Sequence, residues 1–494
     1  MLFRNIIICF TSSLNKMNIS IFGLAIIIYT AIKSLFFFKE KKKMFFFLFF
    51  SFLICDIFFN VGYLLSIGNI NLRYSEFFLI LLTLYSFFVL FSYPKQHNCA
   101  KFVNAFWLVI AAITCSWATL LIQSHTEISM LSTSTIYDWD SYMNESVEMV
   151  NLSLNSNTFF KIIKFLMSAF CLYIGFSRFK NINEKMLEKK LNTVFTILLL
   201  YLAVELLTVY ILNNNAFRSI FLWLFGETNI ETRISAYSNR LLGWAWEPSS
   251  LAVSLFIGSL FYLMRIEYEI GPKSKSIIKF SFYLFFLVMS RSFSSIIFIF
   301  LILFFVSLYF FKNGKTFNLI ICFLILLLFA SMLLLCGGDF YSTRLLEVKN
   351  ILANISKNER RVSSSLARIY SIYWLLKMWT RFPIFGVGYD ATYCYGAVPS
   401  LLNNIGIFGL LSVIFVNKVV VEKIINQKLP LSWYLVLILT FFYVGQAPML
   451  MLSYPSSIVL LCLEANLLLL RKNNQSKEMY KVILTDKIIE KAKI

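Results

Sequence analysis

The chain has 494 residues, of which 59% are hydrophobic and 14% charged, with mean hydropathy +0.75 and a formal net charge of +20. Such a composition excludes an ordinary soluble domain, and because most of the positive charge flanks apolar runs, topology and anionic lipid headgroups explain it without a nucleic-acid partner. Two His and nine scattered Cys with no C-x-x-C pair give no basis for a histidine-based metal centre, a zinc site or a disulfide framework, so no metal and no cofactor are expected.

The first ten residues, Met1 to Phe10, are basic and then apolar, but too short to span a bilayer and without a small-residue cleavage site, so they do not read as a signal peptide; Met17 is an alternative start. Apolar runs follow near 19–38, 44–66, 76–93, 101–122, 159–177, 191–212, 247–264, 278–290, 294–311, 316–336, 401–416, 431–445 and 452–470. Each approaches the ~20 residues that cross a bilayer core as a helix. The runs are continuously apolar rather than alternating, so they predict helices, not barrel strands. The expected fold class is an all-α polytopic membrane protein with about 12–13 transmembrane helices, forming a single membrane domain over 1–494 without internal repeats. The 54 Phe, including the run Phe45 to Phe50, are expected to face lipid, where Phe and Leu are interchangeable.

Lys and Arg set the orientation. Lys39 with Lys41 to Lys43, Lys95 and Lys101, the Arg178 to Lys190 cluster, Arg265 to Lys279, Lys312 and Lys315, and Lys418 to Lys428 follow alternate spans and therefore share one face. The tail 471–494 joins them, which predicts a cytoplasmic C-terminus. The opposite loop 123–158 has no Lys or Arg; its Asp138-Trp139-Asp140 suits stacking on a sugar, but a solvated acidic loop that obeys the same charge rule is the better account. Against this pattern, two loops predicted to lie in the periplasm, 213–246 and 337–400, are rich in Arg. Cations on that side point to an anionic ligand there.

Three acids fall inside spans, Asp56, Glu205 and Glu464, while Lys33, Lys161 and Lys164 lie nearer span ends, where snorkelling suffices. A proton-coupled transporter would pair such acids with broken helices in matching halves, and no such symmetry is present. Hydrogen bonding between helices is the simpler role.

In the first loop, Arg218, Arg233 and Arg240 precede Trp244-Ala245-Trp246-Glu247-Pro248-Ser249-Ser250. Pro248 suits the first turn of the next span, which sets Glu247 at the membrane surface as a candidate base or a helix cap. In the second loop, Arg361, Ser364, Arg368 and Ser371 line one stripe of a helix and Ile369, Ile372, Tyr373, Leu376 and Trp379 another. This predicts a periplasmic amphipathic helix that ends before Pro383, followed by the glycine-rich turn Pro383 to Asp390. Simple attraction to anionic lipid is the alternative role for that helix.

Glu-Pro-Ser at the head of a span, Ser290-Arg291-Ser292 at an outer helix break, the basic outer helix, Pro-x-x-Gly-x-Gly, and then Asn403-Asn404-x-Gly406-x-x-Gly409 opening the next span together resemble bacterial O-antigen polymerases and ligases, best over residues 240 to 416. The resemblance implies glycosyl transfer on the periplasmic face of the inner membrane, with sugars carried on undecaprenyl diphosphate. It also implies a chain-length regulator and a flippase of the same pathway as partners. In the ligase pattern a His stands where Tyr395 and Gly396 stand here, so the sequence is more similar to the polymerase branch (Wzy type). The double Arg-x10-Gly repeat of some polymerases is absent, and those arginine assignments do not transfer.

The residues suit this chemistry in their own right. A sugar hydroxyl must attack an anomeric carbon while a lipid diphosphate leaves, so the protein supplies cationic stabilisation, a base and positioning. Arg grips phosphate oxygens through a planar fork, and a carboxylate can take the hydroxyl proton. The candidate base is Glu247, and the candidate diphosphate clamps are Arg240, Arg291, Arg361 and Arg368. Rival expectations are a ligase transferring polysaccharide to the lipid A core and a non-enzymatic flippase, which would place its charges in a central cavity.

Overall fold

A computed structural model describes residues 17–37, 39–59, 62–67, 70–95, 97, 99–123, 129–131, 149–151, 156–179, 184–227, 230–236, 240–245, 247–267, 272–312, 376, 378–389, 397–425 and 463. The runs expected at 316–336, 431–445 and, apart from Leu463, 452–470, the stripe from Arg361 to Ser371 with Arg368, the Asp138 to Asp140 triplet, Glu464 and the tail 471–494 lie outside these residues.

The elements are β1 (Met17–Ile19), α1 (Ile21–Phe37), α2 (Lys41–Phe58), β2 (Leu65–Ile67), β3 (Ile70–Leu72), α3 (Tyr74–Ser92), α4 (Ala100–Gln123), β4 (Ser129–Leu131), β5 (Met149–Asn151), α5 (Ser156–Arg178) and α6 (Glu184–Leu206). A π-helical turn (Leu207–Ile211) closes α6, and α7 (Ala216–Leu224), α8 (Ile230–Ala236), α9 (Pro248–Glu267), α10 (Lys273–Met289), α11 (Phe293–Lys312) and α12 (Ala397–Ile424) follow. Among the described residues, six stretches are long and apolar enough to cross a membrane: Tyr74–Ser92, Ala100–Ile122, Phe160–Arg178, Met186–Ile211, Pro248–Ile266 and Val398–Ile424. Ile21–Phe37 and Ser294–Phe304 are shorter apolar helices. Pro248 occupies the first helical position of α9, where its missing N–H is no loss.

The structure departs from an all-helical fold in its connections. β1, β2 and β3 form an antiparallel sheet, with Met17 opposite Ile67 and Leu65 opposite Leu72, and β4 pairs with β5 through Ser129 and Asn151. Strands of three residues are too short to show alternation in sequence, yet pairing them satisfies backbone groups at helix ends.

A second departure concerns the phenylalanines. Phe45, Phe46, Phe47, Phe49 and Phe50 are at most 8% exposed, so this run lies in the core and not against lipid. A helix apolar on every side is suited to the middle of a bundle. α2 takes that place with α9, whose membrane-crossing stretch is 72% buried. The surrounding helices carry exposed apolar side chains such as Leu35, Phe36, Leu84, Phe91, Trp107 and Leu200, as lipid-facing surfaces do.

Contacts sort the loops into two ends. At one, Tyr63 N–H and Tyr74 Oη both donate to Phe225 O at 3.0 Å, and Ser20 Oγ lies 3.0 Å from Tyr74 Oη. At the other, Tyr85 Oη donates to Lys41 O, Arg178 Nη1 to Tyr93 O and Lys190 Nζ to Phe47 O, while Arg265 pairs with Glu188 at 2.8 Å. Lys41, Arg178, Lys190 and Arg265, from three of the basic clusters that alternate along the sequence, thus lie at one end of the bundle, and the described residues of the 205–247 segment lie at the other.

Candidate functional site

Helix α6 leads into the arginine end and delivers Glu205, fully buried, just before the π-helical turn. Its carboxylate accepts from Arg218 Nε at 2.7 Å, Leu242 N–H at 3.1 Å and Gly243 N–H at 3.0 Å. Gly243 has φ +56°, and a Cβ there would lie 2.7 Å from Leu251 Cδ1, so the turn requires glycine. Two successive N–H groups in such a turn form a natural anion cup, and Glu205 fills it.

The same loop is fastened twice more. Arg218 Nη2 donates to Arg240 O, and Arg233, paired with Glu227 at 3.0 Å, donates through Nη2 to Ala245 O. All four charged side chains are at most 5% exposed. An unpaired charge at that depth would cost several kcal/mol, so the pairs form with charge-assisted hydrogen bonds that use most of their donors and acceptors. Leu241 to Ala245 are buried as a result, and Trp244 stacks on Phe59 with centroids 4.8 Å apart and planes 10° apart.

This arrangement corrects part of the expectation drawn from charge. Two of the three arginines that marked 213–246 as an anion site, Arg218 and Arg233, are neutralised by the protein's own carboxylates. Glu205 has a structural role, but through an ion pair with Arg218 of α7 and two loop N–H groups and not through the hydrogen bonding between spans that the sequence suggested. The intramembrane acid with an Arg 13 positions later was the available signal.

Arg240 and Arg291 differ from that pair. Both are partly exposed. The Arg291 guanidinium sits 5.7 Å from the centroid of the Tyr210 ring. Ser290-Arg291-Ser292 is the break between α10 and α11, and Arg291 has φ +47°, a conformation that few residues other than glycine adopt. Arg291 therefore meets the π-helical turn from a distant part of the chain.

Glu247 stands at the head of α9, partly exposed. Its carbonyl accepts from Ser250 and Leu251, and its Oε1 accepts from Ser249 Oγ. It lies two residues beyond the fastened 240–245 segment and directly before Pro248, the first residue of α9. Arg361 and Arg368 lie outside the described residues.

The two glycine motifs form one unit. α12 is interrupted at Gly406, with φ +67°. Across the interruption, Val387 N–H donates to Asn403 O at 2.7 Å and Gly388 N–H to Asn404 O at 3.1 Å, while Ile407 N–H donates to Pro383 O and Phe408 N–H to Ile384 O. The loop thus supplies the hydrogen bonds that the broken helix loses, which an apolar setting demands. A Cβ on Gly406 would collide with the Ile384 carbonyl, and one on Gly386 would lie 2.5 Å from Asn403 O. Tyr389 N–H anchors the seam to Ser116 Oγ of α4 at 3.1 Å.

The described residues hold no group of three or more His, Cys, Asp or Glu able to bind a metal ion. No protein-family model, curated protein or solved structure matches the chain.

Proposed function

We propose that the chain is a glycosyltransferase of the bacterial inner membrane that polymerises oligosaccharide repeat units carried on undecaprenyl diphosphate, acting at its arginine end on the periplasmic side. The observation that carries this reading is the partly exposed Arg291 set against Tyr210 in the π-helical turn, at the end of the bundle where the arginine loop is held by its own internal ion pairs. Fixed cations at a membrane surface suit a leaving group that is itself a lipid-anchored diphosphate.

The reaction needs no cofactor. An acceptor sugar hydroxyl attacks the anomeric carbon of the donor, the glycosidic bond forms as the anomeric C–O bond to phosphate breaks, and the hydroxyl proton passes to Glu247. Arg240 and Arg291, with Arg361 and Arg368, take up the charge that develops on the departing diphosphate. The carboxylate at the head of α9 is aided by contact with Ser249, which orients it. Ion pairs and hydrogen bonds to loop backbone groups explain Arg218, Arg233 and Glu205, so these are not assigned to the chemistry.

Deletion of the gene in its host tests the assignment through the surface polysaccharide. Loss of a polymerase leaves a single repeat unit on the lipid core, which is the expected result. Long polymer stranded on its lipid carrier would make the chain a ligase, and absence of both from the outer side would make it a flippase.

A further inference from the structure

Helices α6 and α10 run side by side in the same direction. Lys279 Nζ of α10 donates to Asn192 Oδ1 and Thr196 Oγ1 of α6 at 3.2 and 2.9 Å, and Tyr283 Oη donates to Phe195 O at 2.9 Å. Arg291, just past α10, then meets Tyr210, just past α6. Lys279 Nζ also donates to Tyr262 Oη at 3.3 Å, so its three hydrogens go to three neutral oxygens and to no carboxylate. Glu188, earlier on α6, is held by Arg265 of α9 at 2.8 Å. A cation fixed between membrane helices is costly unless an anion faces it.

Two further cations stand one to two turns nearer the lysine end. Lys275 precedes Lys279 by four positions and Lys189 precedes Thr196 by seven, so each shares a helix face with its partner in the seam. Both side chains are exposed, and neither amine makes a hydrogen bond or an ion pair with the described residues. Towards the other end, Phe282 of α10 and Leu200 of α6 continue the same two faces and are exposed as well. The seam therefore passes from free cations, through the fixed ammonium of Lys279, to an open apolar surface.

We propose that this seam binds an anionic phospholipid, its phosphate between Lys189 and Lys275 and facing Lys279, and one acyl chain laid over Leu200 and Phe282. The order of charge and apolar surface along the two helices is that of a phospholipid, whereas a soluble anion would use the cations alone. The site is separate from the residues assigned to glycosyl transfer, and it stands or falls without them.

Native mass spectrometry of the purified full-length protein in detergent tests this, with phosphatidylglycerol and phosphatidylcholine of the same chains as probes. The wild type should hold one phosphatidylglycerol at least about tenfold more tightly than phosphatidylcholine. Each basic residue near a membrane surface is worth about a fivefold factor, so Lys275→Gln should weaken phosphatidylglycerol binding by about that much, and Lys189→Gln with Lys275→Gln by about tenfold or more. Phosphatidylcholine binding and Tm should not change, because neither amine is bonded within the protein. Lys39→Gln with Lys42→Gln removes the same charge at the same end from other exposed positions and should leave the affinity as it was. An equal loss in that control would reduce the effect to general attraction and overturn the site. Unchanged affinity in the Lys189, Lys275 variant, or equal binding of the two lipids by the wild type, would overturn it too. Displacement of the lipid by millimolar inorganic phosphate would replace it with a soluble-anion site.

Discussion

The arginine loop and the glycine seam solve the same physical problem in opposite ways. Both hold irregular backbone at a membrane-helix end, where every N–H and C=O must find a partner. Between 205 and 245 the partners are charged side chains, with Glu205 accepting from two backbone N–H groups and Arg218 and Arg233 donating to two carbonyls. Across the break at Gly406 they are backbone groups, four hydrogen bonds exchanged between 383–388 and 403–408. Side-chain fastening depends on charge balance, whereas backbone fastening depends on the absence of Cβ atoms. The two regions should therefore fail by different mutations.

Arg218→Leu should produce the largest loss, because it strands the Glu205 carboxylate in the interior; removal of one partner from a buried pair typically costs about 3–5 kcal/mol. Thermal unfolding in detergent should show it, and the double variant Arg218→Leu with Glu205→Leu should recover part of the loss. No recovery in the double variant would mean that the ion pair is not what holds the loop.

Gly406→Ala should come next. Backbone strain at positive φ costs on the order of 1–3 kcal/mol, to which the collision with the Ile384 carbonyl adds. By contrast, Gly175→Ala in α5 should be neutral or stabilising by up to about 1 kcal/mol, since the new methyl would meet only the Phe45 ring at 3.4 Å. Equal tolerance of alanine at both positions would remove the steric account of the seam. The smallest effect belongs to the lysine end. Lys43 pairs with Glu40 at 2.5 Å with both side chains about half exposed. Lys43→Ala should change stability by at most about 1 kcal/mol, and less at high salt, when unfolding is compared at two ionic strengths.

Much of the fold was legible because bilayer length and hydropathy leave few choices. The nine runs from 19–38 to 294–311 correspond to the helices α1 to α6 and α9 to α11, and the run at 401–416 lies within α12. The shared end of the basic clusters was also readable, since Lys and Arg alternate with the spans. What escaped was burial. A run such as Phe45 to Phe50 satisfies lipid and core equally, and only packing against α3 and α9 decides between them. The site was half legible. Nothing in the spacing distinguished Arg240, Arg291 and Glu247 from Arg218 and Arg233, whose partners Glu205 and Glu227 are chosen by the fold of the loop. Tyr210 was silent in sequence, since a π-helical turn carries no composition of its own. The Pro-x-x-Gly-x-Gly and Asn-Asn-x-Gly motifs were visible separately, and their joining as one seam is a property of the structure.

The central claim is that the arginines at this end act on a diphosphate. Purified protein reconstituted with lipid-linked repeat units, with products resolved by length, tests it most directly. The wild type should yield a ladder of polymer, Arg291→Lys and Arg240→Lys a diminished one because charge remains while the bidentate fork is lost, and the alanine variants little or none. Glu247→Gln should abolish the ladder while leaving the protein folded. Full-length polymer from the Arg240→Ala, Arg291→Ala double variant would contradict the account.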